Sequence, residues 1–165
     1  MSYEIRRARL GDEAVLAGIQ IASWRAAFAS ILPEDVLARS TQPERAAEMY
    51  RRLLAQGKGN GYLLSVDGCP HCLAWWDAAR REEAAGDAEL IALHSLPDRW
   101  RQGYGSAMMD AVLQDMRAAG YKQVMLWVFR DNHRARQFYE KHGFAPSGRV
   151  EDPLGAAELW YEREL

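Results

Sequence analysis

The run Val-Met-Leu-Trp-Val-Phe at 124–129 contains no polar residue and is the longest continuous apolar stretch in the 165-residue chain. A segment of that length and composition reads as a strand buried on both faces, so a sheet with cover on both sides has to be built around it. Immediately upstream, Met109, Val112, Leu113 and Met116 stand at i, i+3, i+4 and i+7, an amphipathic helical stripe closed by Gly120. Immediately downstream, Asp131 or Asn132 can cap a second helix whose stripe is Ala135, Phe138, Tyr139 and His142, ended by Gly143. A mostly apolar run at 88–96 precedes the first helix as another central strand. Strand, helix, strand, helix in this order implies an α/β or α+β chain with helices on both faces of one sheet.

The first half supplies the rest of that sheet and its cover. Residues 3–9 alternate loosely, as a first strand does. From Asp12 a helical pattern begins, with Val15, Ile19, Ala22 and Ala26 on one expected stripe. Pro33 with Glu34 and Asp35 marks the first turn of a short helix, and another runs from Pro43 to about Ala55, before Gly57. Residues 62–66, the turn Asp67-Gly68 and the run from Cys72 to Ala78 read as a hairpin, followed by a polar connection at 79–86. Strands near 145–150 and 157–164 close the count. No linker or repeat divides the chain, so residues 1–165 are expected to form a single domain.

Hydrophobic residues make up 48% and charged residues 27%, the balance of a soluble globular domain, and the net charge of −2 gives no basic surplus for nucleic acid or an anionic membrane. The first fourteen residues are charged throughout, without the apolar core of a secretory signal, and no window approaches the roughly 20 apolar residues that cross a bilayer. A cytoplasmic location follows as the expectation.

Residues 96–109, LPDRWRQGYGSAMM, join a buried strand directly to an amphipathic helix. A glycine-rich turn there exposes backbone N–H groups beside the positive end of the helix dipole, an arrangement that binds phosphate. Gly103 and Gly105 let the main chain approach a ligand closely, and Arg99 and Arg101 add charge. A P-loop would need Gly-Lys-Ser/Thr, but Ser106-Ala107 follows Gly105. A dinucleotide fingerprint would need a third small residue at Met108. A tight strand–helix turn without a ligand is the alternative reading of the glycines alone.

The run from His94 to Gly105 (HSLPDRWRQGYG) resembles the coenzyme A loop of the GNAT superfamily, which reads Gln/Arg-x-x-Gly-x-Gly/Ala between the fourth strand and the third helix. Trp100 departs from the pattern at the leading Gln/Arg position, with the charge moved next door to Arg101. Asn132, Ala135, Tyr139, Gly143 and Phe144 match, in register, the family's Asn-x-x-Ala-x-x-x-Tyr-x-x-x-Gly-Phe, and residues 23–37 look like the first two helices of many bacterial members. The resemblance implies a mixed, mostly antiparallel sheet splayed between its fourth and fifth strands. It also implies acetyl-CoA as co-substrate with no metal, and an amine as acceptor. Family members are often dimers, so a homodimer is compatible with it.

The chemistry fits these residue types. An amine attacking a thioester must lose a proton, develops an oxyanion on the carbonyl, and expels a thiolate that benefits from an acid. On spacing alone Tyr139 is a core aromatic; the resemblance assigns it as the acid. The resemblance also offers Glu89 as a base acting through water, otherwise a solvated strand-end carboxylate. His94 is the substitute, and several members use no dedicated base. By the same resemblance the backbone of Leu93, His94 and Ser95 pairs with the pantetheine arm, Arg101, Gln102, Gly103, Tyr104, Gly105 and Ser106 cradle the pyrophosphate, and Asn132 contacts the cofactor near its thiol end. Trp24 and Phe28 are candidates for an acceptor pocket, and Glu151-Asp152 for attracting a cationic amine.

Two rival functions remain open at this point. Cys69-Pro70-His71-Cys72 would suit a thiol–disulfide oxidoreductase if Cys69 opened a helix, although the motif follows a hairpin turn and no second cysteine pair completes a zinc site. A module that binds acyl-CoA without turnover is the non-enzymatic alternative.

Overall fold

The computed structural model describes residues 2–165. Its elements in chain order are β1 (Tyr3–Arg7), α1 (Glu13–Phe28), α2 (Glu34–Ser40), α3 (Pro43–Gln56), β2 (Asn60–Val66), β3 (Cys69–Ala78), β4 (Ala88–Ser95), α4 (Tyr104–Ala118), β5 (Gln123–Phe129), α5 (His133–Lys141), β6 (Ala145–Glu151) and β7 (Glu158–Glu164). The strands form one mixed sheet in the order β1-β2-β3-β4-β5-β7-β6. Every neighbouring pair is antiparallel except β4–β5, which is parallel and pairs only at Ala88↔Val124 and Glu89↔Met125 before the strands separate. The expected mixed sheet, splayed between its fourth and fifth strands and covered on both faces, is therefore what the chain forms.

Alternation along the strands sorts the two faces. Val124, Leu126 and Val128 of β5 and Leu64, Cys72 and Ala74 of the first hairpin pack under α4 with Met108, Met109, Val112, Leu113 and Met116, and α5 adds Ala135, Phe138 and Tyr139 to that core. On the opposite face Leu63, Leu73 and Trp75 pack against α1 and α3. Phe129 meets Phe28 of α1 and the neighbourhood of α2.

Three sequence expectations change. In α1 the buried residues are Leu16, Ala17, Ile19, Ile21, Ser23 and Phe28, whereas Val15 and Ala26 are exposed, because the helix is wedged between the sheet and α3 and buries a wider arc than a single stripe. The Asp67-Gly68 turn, with both residues at positive φ, is tight enough that β3 begins at Cys69, three residues before the expected start. The 79–86 connection contains a short 3-10 turn at Glu82–Ala84.

Trp75 depends on glycine across the strand pair. It stands opposite Gly61, and a Cβ built there would fall well inside contact distance of its six-membered ring, while one at Gly59 would meet its indole nitrogen. Gly61→Ala is thus expected to destabilise the fold by about 1–3 kcal/mol through overpacking, which thermal denaturation would register. An unchanged melting temperature would contradict this packing.

Candidate active site

Where β4 and β5 part, two cavities meet. The first, of about 560 Å³, lies on the α1 side and is lined among others by Trp24, Phe28, Glu89, His94, Phe129, Asn132 and Glu158. The second, of about 460 Å³, lies on the α4–α5 side and is lined by Ser95, Trp100, Arg101, Gly103, Tyr104, Gly105, Ser106 and neighbours. Ser23, Leu93, Arg134, Ala135 and Tyr139 line both, so the junction of the cavities is at the split itself.

The second cavity is built on the turn before α4. Arg101 sits at φ +66 and Gly103 at φ +86, so the chain turns twice through the left-handed region and points backbone groups inward. No side chain caps α4, and the first helical bond of the turn is Ala107 N–H to the Gly103 carbonyl, which leaves the amides of Gly105 and Ser106 without an intrahelical acceptor. Ser106 is steadied from α5 by a 3.0 Å hydrogen bond between its hydroxyl and His142 Nε2. Arg99, Arg101, Arg134 and Lys141 also line this cavity, giving it the positive field that a pyrophosphate needs. These residues fit the phosphates of coenzyme A. Gln102 is exposed and does not line the cavity.

Trp100 has a defined place. Its indole N–H donates to the Ser95 carbonyl at 3.1 Å, and the Arg134 guanidinium stacks over its ring with the central carbon 3.4 Å from the centroid. Burial, with Arg101 nearby, pushes the Arg134 pKa down, against an opposing pull from Tyr139. A stacked, half-buried cation in the split is a candidate anion ligand that no linear motif discloses, because the residue doing the stacking is 34 positions away. Ser23 was missed for the same reason: it looks like one more small residue of α1, yet it reaches the junction.

Tyr139 is directed into the junction by the second turn of α5, whose start is capped by Asn132 Oδ1 accepting from the Ala135 N–H at 3.3 Å. Its hydroxyl has no hydrogen-bond partner among the described residues and faces the cavities it lines. Burial pushes the phenol up to about 12, against a partial pull downward from Arg134. The acid form therefore persists across the whole physiological range.

The two base candidates differ. Glu89 is buried, and its carboxylate accepts from the Arg80 backbone N–H at 3.1 Å, from Nε at 3.1 Å and from Nη2 at 2.7 Å. With about four acceptor sites on a carboxylate, one is left for water. His94 Nε2 accepts the Trp24 indole N–H at 3.2 Å, which puts the ring proton on Nδ1 and occupies the lone pair a base would use; burial lowers its pKa to about 4. Along β4 the backbone edge of Leu93 and His94 that faces away from β3 has no strand partner, as β5 has already departed. The Ser95 carbonyl, by contrast, is taken by Trp100.

The cysteine pair does not assemble. Cys69 and Cys72 lie along β3 rather than at a helix start, Cys69 is exposed, and burial raises the Cys72 thiol to about 12, the opposite of a reactive thiolate. Glu151 is engaged by Arg81 at 2.6 Å and Asp152 lines neither cavity. Among the described residues there is no cluster of three or more metal-ligating side chains, and no helix is long and apolar enough to cross a membrane.

A model of the acetyltransferase (GNAT) family matches residues 24–144. An uncharacterised N-acetyltransferase of Bacillus subtilis, YuaI, is 28% identical over 128 residues, 78% of this chain and 72% of that protein. A spermidine N(1)-acetyltransferase of Thermoplasma acidophilum is 24% identical over 161 residues, 94% of each. The crystal structure of the PaiA N-acetyltransferase from the same organism, in complex with coenzyme A, superposes with a TM-score of 0.83 at 22% identity over the full length of both chains.

Arg134→Ala is expected to weaken acetyl-CoA binding about tenfold, the size of one charge-assisted hydrogen bond, while S-acetylpantetheine, which lacks the pyrophosphate, binds as before. Calorimetric titration of the two ligands would separate the effects; equal losses for both would remove Arg134 from phosphate recognition.

Proposed function

The chain belongs to the acetyltransferase (GNAT) family, and from that premise we propose that it transfers the acetyl group of acetyl-CoA to a primary amine of a small molecule or peptide by direct attack with both substrates bound. The observation that carries this reading is the meeting of a basic, amide-lined cavity and an aromatic, glutamate-bearing cavity at Tyr139. Acetyl-CoA supplies the thioester, its phosphates held by the amides of Gly105 and Ser106 with Arg101 and Arg134. The free edge of Leu93 and His94 holds the pantetheine arm as an added strand would. Main-chain N–H groups of that edge stabilise the charge that develops on the carbonyl oxygen in this reading. Tyr139 hands its proton to the departing sulfur, and the positive charge of Arg134 favours the phenolate that is left.

The amine arrives as an ammonium, with a pKa near ~10 in water. Glu89 is the supported acceptor of its proton, through a water on the carboxylate position that Arg80 leaves open. His94, held neutral with its Nε2 occupied by Trp24, serves to fix the acceptor wall. Such a reaction suits the cytosol, where acetyl-CoA is available. The first test is amine-dependent release of the free CoA thiol with the acetylated product identified by mass spectrometry; hydrolysis alone, or no release with any amine, would overturn the reading.

Tyr139→Phe is expected to lower turnover by about 10²-fold, within the range of a general acid, with acetyl-CoA affinity little changed. Since the phenol keeps its proton below about 12, wild-type turnover at saturating substrate is expected to show no fall between neutral pH and about pH 10, a range set by the ordinary phenol value. A decline centred near that ordinary value would show that the burial described here does not protect the acid.

A further inference from the structure

His142 ends α5, and its backbone is pinned there from two directions. Its N–H donates to the Phe138 and Tyr139 carbonyls, and its own carbonyl accepts from Arg163 Nη1 at 2.6 Å. The ring leans on Phe138, with 4.7 Å between centroids. His142 lines neither cavity, yet its Nε2 lies 3.0 Å from the hydroxyl of Ser106, which lines the basic one. Among the described residues Ser106 is the ring's one hydrogen-bond partner. The imidazole therefore reaches the cofactor cavity through that hydroxyl.

A serine hydroxyl has one proton to give. When Nε2 carries a lone pair, the proton is spent on the ring, and Oγ turns only lone pairs toward the cavity, where they repel a phosphate oxygen. When Nε2 carries the proton, the ring donates to Oγ and the hydroxyl proton is released to an acceptor in the cavity. One ring nitrogen thus decides whether Ser106 opposes or supports a bound anion. The Ser106 amide is among those left without an intrahelical acceptor, so an anion held by that amide offers the hydroxyl its acceptor.

Resting on the acetyltransferase reading above, we infer that His142 is a positioning residue for acetyl-CoA: by donating from Nε2 to Ser106 Oγ, it frees the hydroxyl proton for a phosphate of the cofactor. Binding in turn holds Nε2 protonated and favours the doubly protonated ring, whose donated bond is charge-assisted. Three charged groups surround the ring from the elements packed on it. Burial lowers its pKa, Asp110 of α4 pulls the other way, and Lys141 of α5 and Arg163 of β7 add to the lowering. A bound diphosphate brings negative charge to the other side of Ser106 and raises the pKa in the complex. The added affinity is therefore fully present below the pKa of the free protein and is lost as pH rises through that of the complex.

Nitrogen-15 spectra of the His142 ring across pH, with and without CoA, are expected to show Nε2 protonated and a higher pKa in the complex. Calorimetric titration is done with acetyl-dephospho-CoA, which lacks the 3′-phosphate monoester that itself titrates at about 6. Its affinity is expected to fall about tenfold from acid to alkaline pH, the size of one hydrogen bond to a charged group. In Ser106→Ala that slope is expected to vanish, and adding His142→Leu to that variant costs nothing further, because the ring acts through the hydroxyl. His142→Gln, whose amide still donates to Oγ, is expected to keep the tight binding at every pH. A slope that survives Ser106→Ala, an Nε2 that stays unprotonated in the complex, or a His142→Gln as weak as His142→Leu overturns the inference and leaves the acetyltransferase reading standing. A wild type that takes up no cofactor at any pH overturns both.

Discussion

β4 and β5 share only two residue pairs, Ala88↔Val124 and Glu89↔Met125, and then diverge within an otherwise continuous sheet. A parallel pair broken this early leaves a row of N–H and C=O groups on the β4 edge with no strand to satisfy them, a cost that a folded core would normally avoid. The remaining residues of β4 are still held by β3 from the other side, and α4 and α5 keep the cofactor-side face packed. The sheet can therefore stay open without collapsing. The cradle before α4, the phenol on α5 and the aromatic wall of α1 all converge on that opening because each is attached to an element that flanks it.

Charge is distributed unequally about the split. The cofactor side gathers Arg99, Arg101, Arg134 and Lys141 around uncapped amides, whereas on the α1 side Glu89, Glu151 and Glu158 are balanced by Arg80, Arg81 and Arg134. The asymmetry puts a positive field on one side of the split, of the sign that draws in a polyanion. Arg134 stands between the two sides. Its stacking gives Trp100, the one departure from the Gln/Arg-led pattern, a structural role as the platform for a guanidinium brought through space from α5.

Much of this was legible in the chain before any coordinates. The 124–129 run, the Met109–Met116 stripe and the glycine turn between strand and helix each have one economical physical reading, and the sheet follows from their order. Of the two cap candidates, Asp131 and Asn132, it is Asn132 that caps α5. What could not be read were relations across space. The glutamate at 89 is a good base candidate by position, but nothing local to it reveals that Arg80 closes around three of its acceptor sites. His94 looks titratable until Trp24, seventy positions away, is seen to occupy its nitrogen. The α1 stripe misled because a helix packed on two sides does not bury a single narrow face. The cysteine pair, already suspect for following a hairpin turn, lies wholly within the strand that turn opens.

The central claim is that the open junction of β4 and β5 is a site for acetyl-CoA, and calorimetric titration of the purified protein with acetyl-CoA tests it most directly when repeated on Gly105→Trp. A side chain at Gly105 would project between the loop amides and Phe138, whose ring already lies 3.3 Å from where a Cβ would stand. The account predicts one-to-one binding in the micromolar range for the wild type, and loss of binding in a variant whose circular dichroism and melting transition show it to be folded. A wild type that takes up no acetyl-CoA, or a folded variant that binds it as well as the wild type, would contradict the account.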